Sequence, residues 1–253
     1  MTVNSDPPAT KFADSDALAR TLSDQLAANL RIAIAARGLA SLVVSGGKSP
    51  IKLFELLRVE TLDWSRVCIA LADERWVDPT DPESNEKLVR DYLLKESAAA
   101  ARFIGLKNAA PTPDLGAVSA WETFARVPRP FDAVVLGMGD DGHTASLFPH
   151  TEGLHELSRI AIANHVPQQK ETWRVTLTWP VIVEASEVFF LIGGKAKADP
   201  LHRVFEGPYD PETLPSQLIQ PKSGKVLLLL DKDAAAGLPL TDGAGVGRLE
   251  VER

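Results

Sequence analysis

The sequence predicts an α/β fold, a mostly parallel sheet with helices on both faces. Three observations predict it. Short apolar runs of strand length recur along the chain, stretches with helical spacing separate them, and glycine-rich turns follow several of the runs. Apolar runs without polar alternation fit strands buried on both faces, and their alternation with helices fits parallel connections.

The elements follow in order. Residues 1–12 read as a loose leader. Leu18, Leu22, Leu26 and Leu30 recur every four residues and share one helical face. Asp14 or Ser15 can cap that helix, and Gly38 follows it at a C′-like position. Residues 42–44 are a short buried strand. Ser45-Gly46-Gly47-Lys48-Ser49-Pro50 comes next, then Leu53, Phe54, Leu56 and Leu57 at helical spacing, with Ser49 as N-cap and Pro50 at N1. Residues 67–71 are a strand, 73–84 a polar loop and 85–94 a helix. Residues 105–119, with Gly, Asn and two prolines, read as an exposed connection. A helix over 119–125 precedes a strand at 133–136. A strand at 174–178 leads to a short helix opened by Pro180. A strand at 188–192, the Gly193-Gly194 turn, a helix over 195–205 and a last strand at 225–230 complete the pattern. Neither a repeat nor a linker divides the chain, so residues 1–253 read as a single α/β domain, with 1–12 and 241–253 as flexible ends.

Composition narrows the function. Apolar content of 45% and charged content of 24% are ordinary for a soluble domain. A net charge of −7 argues against a broad surface for nucleic acid or anionic membrane, while leaving room for a local cationic site. Cys68 is the only cysteine, which excludes an intrachain disulfide, and its apolar neighbours make it a small core residue. Residues 1–16 lack an apolar signal core, and the run 226–230 is far too short to span a bilayer. The expectation is a cytoplasmic protein, a monomer or weak homo-oligomer, with no nucleic-acid or membrane partner.

Chemistry concentrates where predicted strands end, the edge at which open α/β sheets hold ligands. Residues 137–143 place three glycines, two aspartates and His143 after a strand. Histidine titrates near neutrality, so His143 can act as a general base while a carboxylate orients it. The competing reading is an Asp-Gly turn with a satisfied histidine. No second His or Cys nearby completes a ligand set for a metal. Ser45, Gly46, Gly47, Lys48 and Ser49 can form a phosphate cradle from amides, hydroxyls and an ammonium at a helix start; the alternative is an ordinary glycine-rich connection. Arg75 can grip an anionic oxygen with its planar fork, and Asp73 can orient a base or a substrate hydroxyl. Against this stands a surface ion-pair cluster over Trp76. Lys195 and Lys197 follow Gly193-Gly194, and either can reach a phosphate, with one of the two a plain exposed lysine. Arg174 is a further candidate anion contact. His150, His155, His165 and His202 receive no role.

The run 137–149, Gly-Met-Gly-Asp-Asp-Gly-His-Thr-Ala-Ser-Leu-Phe-Pro, resembles the signature of the glucosamine-6-phosphate isomerase/6-phosphogluconolactonase family, on its lactonase side. Ser45-Gly-Gly-Lys-Ser-Pro50, Asp73-Glu-Arg-Trp-Val77 with Ser84-Asn85, Arg174-Val-Thr-Leu-Thr178 and Gly194-Lys-Ala-Lys-Ala198 occur in the family's order over about residues 40–205. The resemblance implies a Rossmann-like fold shared with glucosamine-6-phosphate deaminase and ribose-5-phosphate isomerase, and no metal or organic cofactor. It implies hydrolysis of 6-phospho-D-glucono-1,5-lactone in the oxidative pentose phosphate pathway. His143 matches the family's base, Arg75 its arginine, and Lys197 its phosphate-binding lysine better than Lys195. The catalytic set is then His143 and Arg75 with Asp141 or Asp73 supporting; the substrate-binding set is Ser45, Gly46, Gly47, Lys48, Ser49, Arg174 and Lys197. Lys48 and His150 depart from the family pattern. Rival expectations are a glucosamine-6-phosphate deaminase, which typically continues from this histidine into Ile-Ala-Phe-Asn-Glu-Pro, and a non-catalytic sugar-phosphate sensor.

Overall fold

The computed structural model describes residues 9–221, 223–236 and 238. Among the described residues, ten strands build two sheets. The larger holds β1 (Ala9–Phe12), β2 (Ala40–Val44), β3 (Val67–Leu71), β5 (Arg102–Ile104), β6 (Ala133–Leu136), β9 (Glu187–Ile192) and β10 (Lys225–Asp231). Its order is β1-β10-β9-β6-β2-β3-β5, and every neighbouring pair is parallel. The smaller sheet is antiparallel, with β8 (Trp173–Leu177) between β4 (Asp73–Arg75) and β7 (Ala161–His165).

The central strands are mostly apolar because both faces are covered. Leu42, Val43, Ile69, Ala70, Leu71, Val188 and Phe190 are fully buried. Burying each large side chain contributes on the order of 1.5–3 kcal/mol. Helix α1 (Ser15–Arg37) turns Leu18, Leu22, Leu26 and Leu30 inward. Asp14 caps it through Ala17 N at 2.8 Å, and Gly38 closes it in the left-handed region. Helices α2 (Ile51–Leu57), α3 (Asn85–Tyr92), α4 (Pro113–Phe124), α5 (Trp179–Ile182) and α6 (Ala198–Phe205) complete the layers.

Several expectations are corrected. Residues 9–12 are strand β1, because β10 offers its edge to them; residues 1–8 and 241–253 lie outside the described residues. The polar stretch after β3 starts with β4, which pairs with β8. Helix α4 begins at Pro113 inside the expected connection, capped by the Thr112 hydroxyl. Pro50, not Ser49, is the N-cap of α2, because Phe54 N bonds to Pro50 O at 2.8 Å and no side chain caps the end. The helix expected from Lys195 opens as a 3₁₀ turn over Lys195–Lys197 before α6. Strands β5 and β7 were not anticipated.

The topology prepares a site. From β2 the chain adds β3 and β5 on one side; β6, β9 and β10 extend the other. The order therefore reverses between β2 and β6, and the loops leaving these two strands diverge over a crevice at their carboxyl ends. Those loops are residues 45–50 and 137–143. No helix among the described residues is long and apolar enough to cross a membrane.

Candidate active site

A cleft of about 270 Å³ opens at this reversal, bordered by the ends of β2, β4, β6, β8 and β9. Ser45, Gly46, Gly47 and Ser49 form one wall, Asp73, Arg75 and Arg174 another, and His143 and Lys197 face the same space. Nine of the eleven residues expected at the site line it. The other two are Lys48, which is exposed, and Asp141, which lies outside the lining and bonds His143. Lys195 is exposed and outside the lining, so Lys197 is the lysine at the cleft.

The turn after β6 is built to present an imidazole. Gly139 N bonds to His143 O at 2.8 Å, which folds residues 139–143 back on themselves. Glycine is required at 139: a Cβ there would lie 2.0 Å from His143 Nδ1. Asp141 Oδ1 meets His143 Nδ1 at 2.5 Å and also accepts the His143 backbone N–H at 3.1 Å. Partial burial pushes the Asp141 carboxyl up. The hydrogen bond and charge of His143, with backbone N–H groups, outweigh that and hold it below the usual aspartate range. The imidazole also stacks on Phe148, with centroids 3.9 Å apart and planes at 24°. One ring nitrogen and one ring face are therefore fixed.

Asp73 lines the cleft, and of its two expected roles the one at the imidazole falls to Asp141. Asp73 Oδ2 accepts the Ser146 hydroxyl at 2.6 Å, and the Asn85 amide donates to the Asp73 backbone oxygen at 2.8 Å. Asp73 thus ties β4 to the segment following His143, and the carboxylate at the imidazole is that of Asp141. Asn85 was not singled out for a role, although Ser84-Asn85 belongs to the recognised motif. It is almost fully buried, lines the cleft and sits against Gly46 so closely that a Cβ there would fall 1.8 Å from Asn85 Oδ1.

Arg75 and Arg174 are direct cross-strand partners on β4 and β8. Like charges directly opposite one another are unfavourable in a sheet. Acceptors surround them: Arg75 donates to Glu83 O, and Arg174 Nε donates to Glu171 O at 2.9 Å. Burial lowers the Arg174 pKa, and the Arg75 guanidinium adds to the effect, against Asp73, Glu171 and Glu74. Arg75 Nε and Ser45 Oγ are buried without a hydrogen-bond partner among the described residues. Unpaired buried polar groups are costly, so both suit an acceptor-rich ligand.

Glu74, beside Arg75, is fully buried. It accepts from the backbone N–H groups of Arg75 at 2.8 Å, Asn85 at 2.7 Å and Glu86 at 2.8 Å, and from the Ser84 hydroxyl at 3.0 Å. It thereby pins the N-terminus of α3 to β4. Among the described residues, no group of three or more His, Cys, Asp or Glu could hold a metal ion.

A parallel sheet with an orienting Asp–His pair, two arginines and a glycine loop around one cleft defines an α/β protein equipped for an anionic small molecule. The chain belongs to the family described as glucosamine-6-phosphate isomerases/6-phosphogluconolactonase, whose profile matches residues 13–228. A 6-phosphogluconolactonase from Pseudomonas aeruginosa is 45% identical over 187 residues, covering 71% of this chain and 77% of that protein. One from Nostoc sp. is 38% identical over 239 residues, covering 90% and 96%. The crystal structure of a 6-phosphogluconolactonase from Shewanella baltica OS155 superposes with a TM-score of 0.85 at 39% identity, covering 89% of this chain and 97% of that one.

Proposed function

We infer that this chain is a lactone hydrolase that opens 6-phospho-D-glucono-1,5-lactone to 6-phospho-D-gluconate, the chemistry for which its relatives are named. The observation that carries the mechanism is the Asp141–His143 hydrogen bond at the cleft wall. With Nδ1–H donated to Asp141, Nε2 is left with its lone pair and can take a proton from water. That water attacks the lactone carbonyl carbon. Arg75, together with backbone N–H groups, stabilises the tetrahedral oxyanion. The imidazolium then returns its proton to the departing ring oxygen, and the ester C–O bond breaks. A positioned acid–base group of this kind contributes about 10²–10⁴-fold.

The phosphate end binds Ser45, the amides of Gly46 and Gly47, Ser49 and Lys197, with Arg174 adding charge. Anchoring a remote dianion uses binding energy to position the carbonyl for attack. Lys48 is exposed and lies outside the cleft lining, so we give it no phosphate contact. Asp73 and Asn85 keep the two walls in register. The chain needs no metal or organic cofactor for these steps, and we assign it to the cytoplasm as a monomer or weak homo-oligomer.

The test is direct. Freshly prepared 6-phosphogluconolactone, followed with and without the protein, opens faster with it. Hydrolysis no faster than the uncatalysed control, or release of ammonia from glucosamine 6-phosphate, contradicts the reading.

A further inference from the structure

We propose that Asp140 is a built-in competitor for the phosphate end of the substrate, holding the Lys197 ammonium until a dianion displaces it. The proposal rests on the reading of Lys197 as a phosphate contact and adds what governs that contact. Lys197 Nζ donates to Asp140 Oδ1 at 2.5 Å. The pair joins the loops that leave β6 and β9, which are neighbours in the sheet. Lys197 faces the cleft and its side chain is only 25% exposed; the Asp140 side chain is 73% exposed and is not part of the lining. Lys197 is the one hydrogen-bond partner of the Asp140 carboxylate among the described residues. Asp141, one residue on, is committed to His143.

The physical consequence follows from relative strengths. An ion pair with one partner this exposed is weak, because water screens it and two side chains must be held still. A phosphate monoester carries about −1.5 to −2 charge at pH 7 and three strong acceptor oxygens. It can satisfy Lys197 together with Ser45 and the glycine amides, which the carboxylate of Asp140 does not reach. Exchange of one anion for the other therefore favours the phosphate, but every binding event first breaks the Asp140 contact. The same exchange runs backwards when 6-phosphogluconate leaves and Asp140 recaptures the ammonium. Asp140 thus lowers affinity for phosphorylated ligands, product included, without touching the acyl chemistry. A ligand lacking the phosphate has no stake in the exchange.

The test uses the full chain and the nearly isosteric Asp140→Asn variant. Inhibition constants are measured for 6-phosphogluconate, inorganic phosphate and gluconate, in the parent and in a Lys197→Ala background. The expected result is about two- to fivefold tighter binding of both phosphate-bearing ligands in Asp140→Asn, with gluconate unchanged. In the Lys197→Ala background the gain disappears. A gain that persists without Lys197 overturns the proposal, since Asp140 then acts only through the general field. No gain in Asp140→Asn, while Lys197→Ala weakens phosphate-bearing ligands about tenfold or more, overturns the competitor role and leaves the Lys197 contact standing. Unchanged affinities in Lys197→Ala remove the phosphate reading of Lys197 and the proposal with it.

Discussion

Two aspartates one residue apart do opposite work in the turn after β6. Asp141 bonds the imidazole, and Asp140 bonds Lys197 on the loop that leaves β9. The sequence made both acids and His143 legible as a group, because so many polar and glycine residues follow one apolar run. Which acid would meet the imidazole was not legible, since the backbone turn, not the residue type, decides it. Asp73 was a rival for the same task, and only the fold shows that its carboxylate meets the Ser146 hydroxyl instead of the imidazole. Asp141→Asn keeps the shape of the turn and removes the charge that orients His143. We expect kcat to fall roughly tenfold or more, part of the ~10²–10⁴ that a positioned base contributes. KM should change little, because Asp141 does not line the cleft. A large rise in KM with kcat intact would assign Asp141 to substrate binding instead.

At the scale of elements, the long amphipathic helix α1 and the fully apolar strands were readable because their patterns repeat over enough residues. Strands β4, β5 and β7 have three to five residues with no pattern of their own. Their identity comes from the ladder they join, and that is tertiary information. The buried Glu74 carboxylate shows the same dependence: only the fold brings the amides of α3 onto it. Burial pushes Glu74 up to about 6 from an ordinary 4.5, against the pull of Asn85, Glu86, Arg75 and Ser84. Between those values the folded chain holds a proton that the unfolded chain has released, so stability falls as pH rises through the window. The full span amounts to about 2 kcal/mol. Glu74→Gln cannot titrate, so its urea midpoint should vary less than the parent's between pH 4.5 and pH 6. Equal slopes in the two proteins would rule out Glu74 as the source. Between loops, Gly46 and Asn85 meet with no space for a methyl group. Gly46→Ala should destabilise the fold by about 1–3 kcal/mol and raise KM for the phosphorylated lactone. Thermal unfolding and steady-state kinetics check both, and an unchanged KM would separate this contact from substrate binding.

For the whole molecule, the reversal of strand order between β2 and β6 puts the glycine loop and the His143 turn on one crevice. Residues separated by about a hundred positions thereby share about 270 Å³. Convergence of these loops was legible from their common position after strands. The antiparallel side sheet was not, yet it delivers Arg75 and Arg174 to the same space. A chain of net charge −7 can still concentrate two arginines and a lysine around one cleft. The central claim is that His143 activates the attacking water within this crevice. The most direct measurement is the hydrolysis of fresh 6-phosphogluconolactone by His143→Ala, with the spontaneous rate subtracted and 6-phosphogluconate binding measured alongside. The account predicts that the catalysed rate falls by about 10²–10⁴ while 6-phosphogluconate still binds. A variant that binds and hydrolyses at close to the parental rate would contradict it.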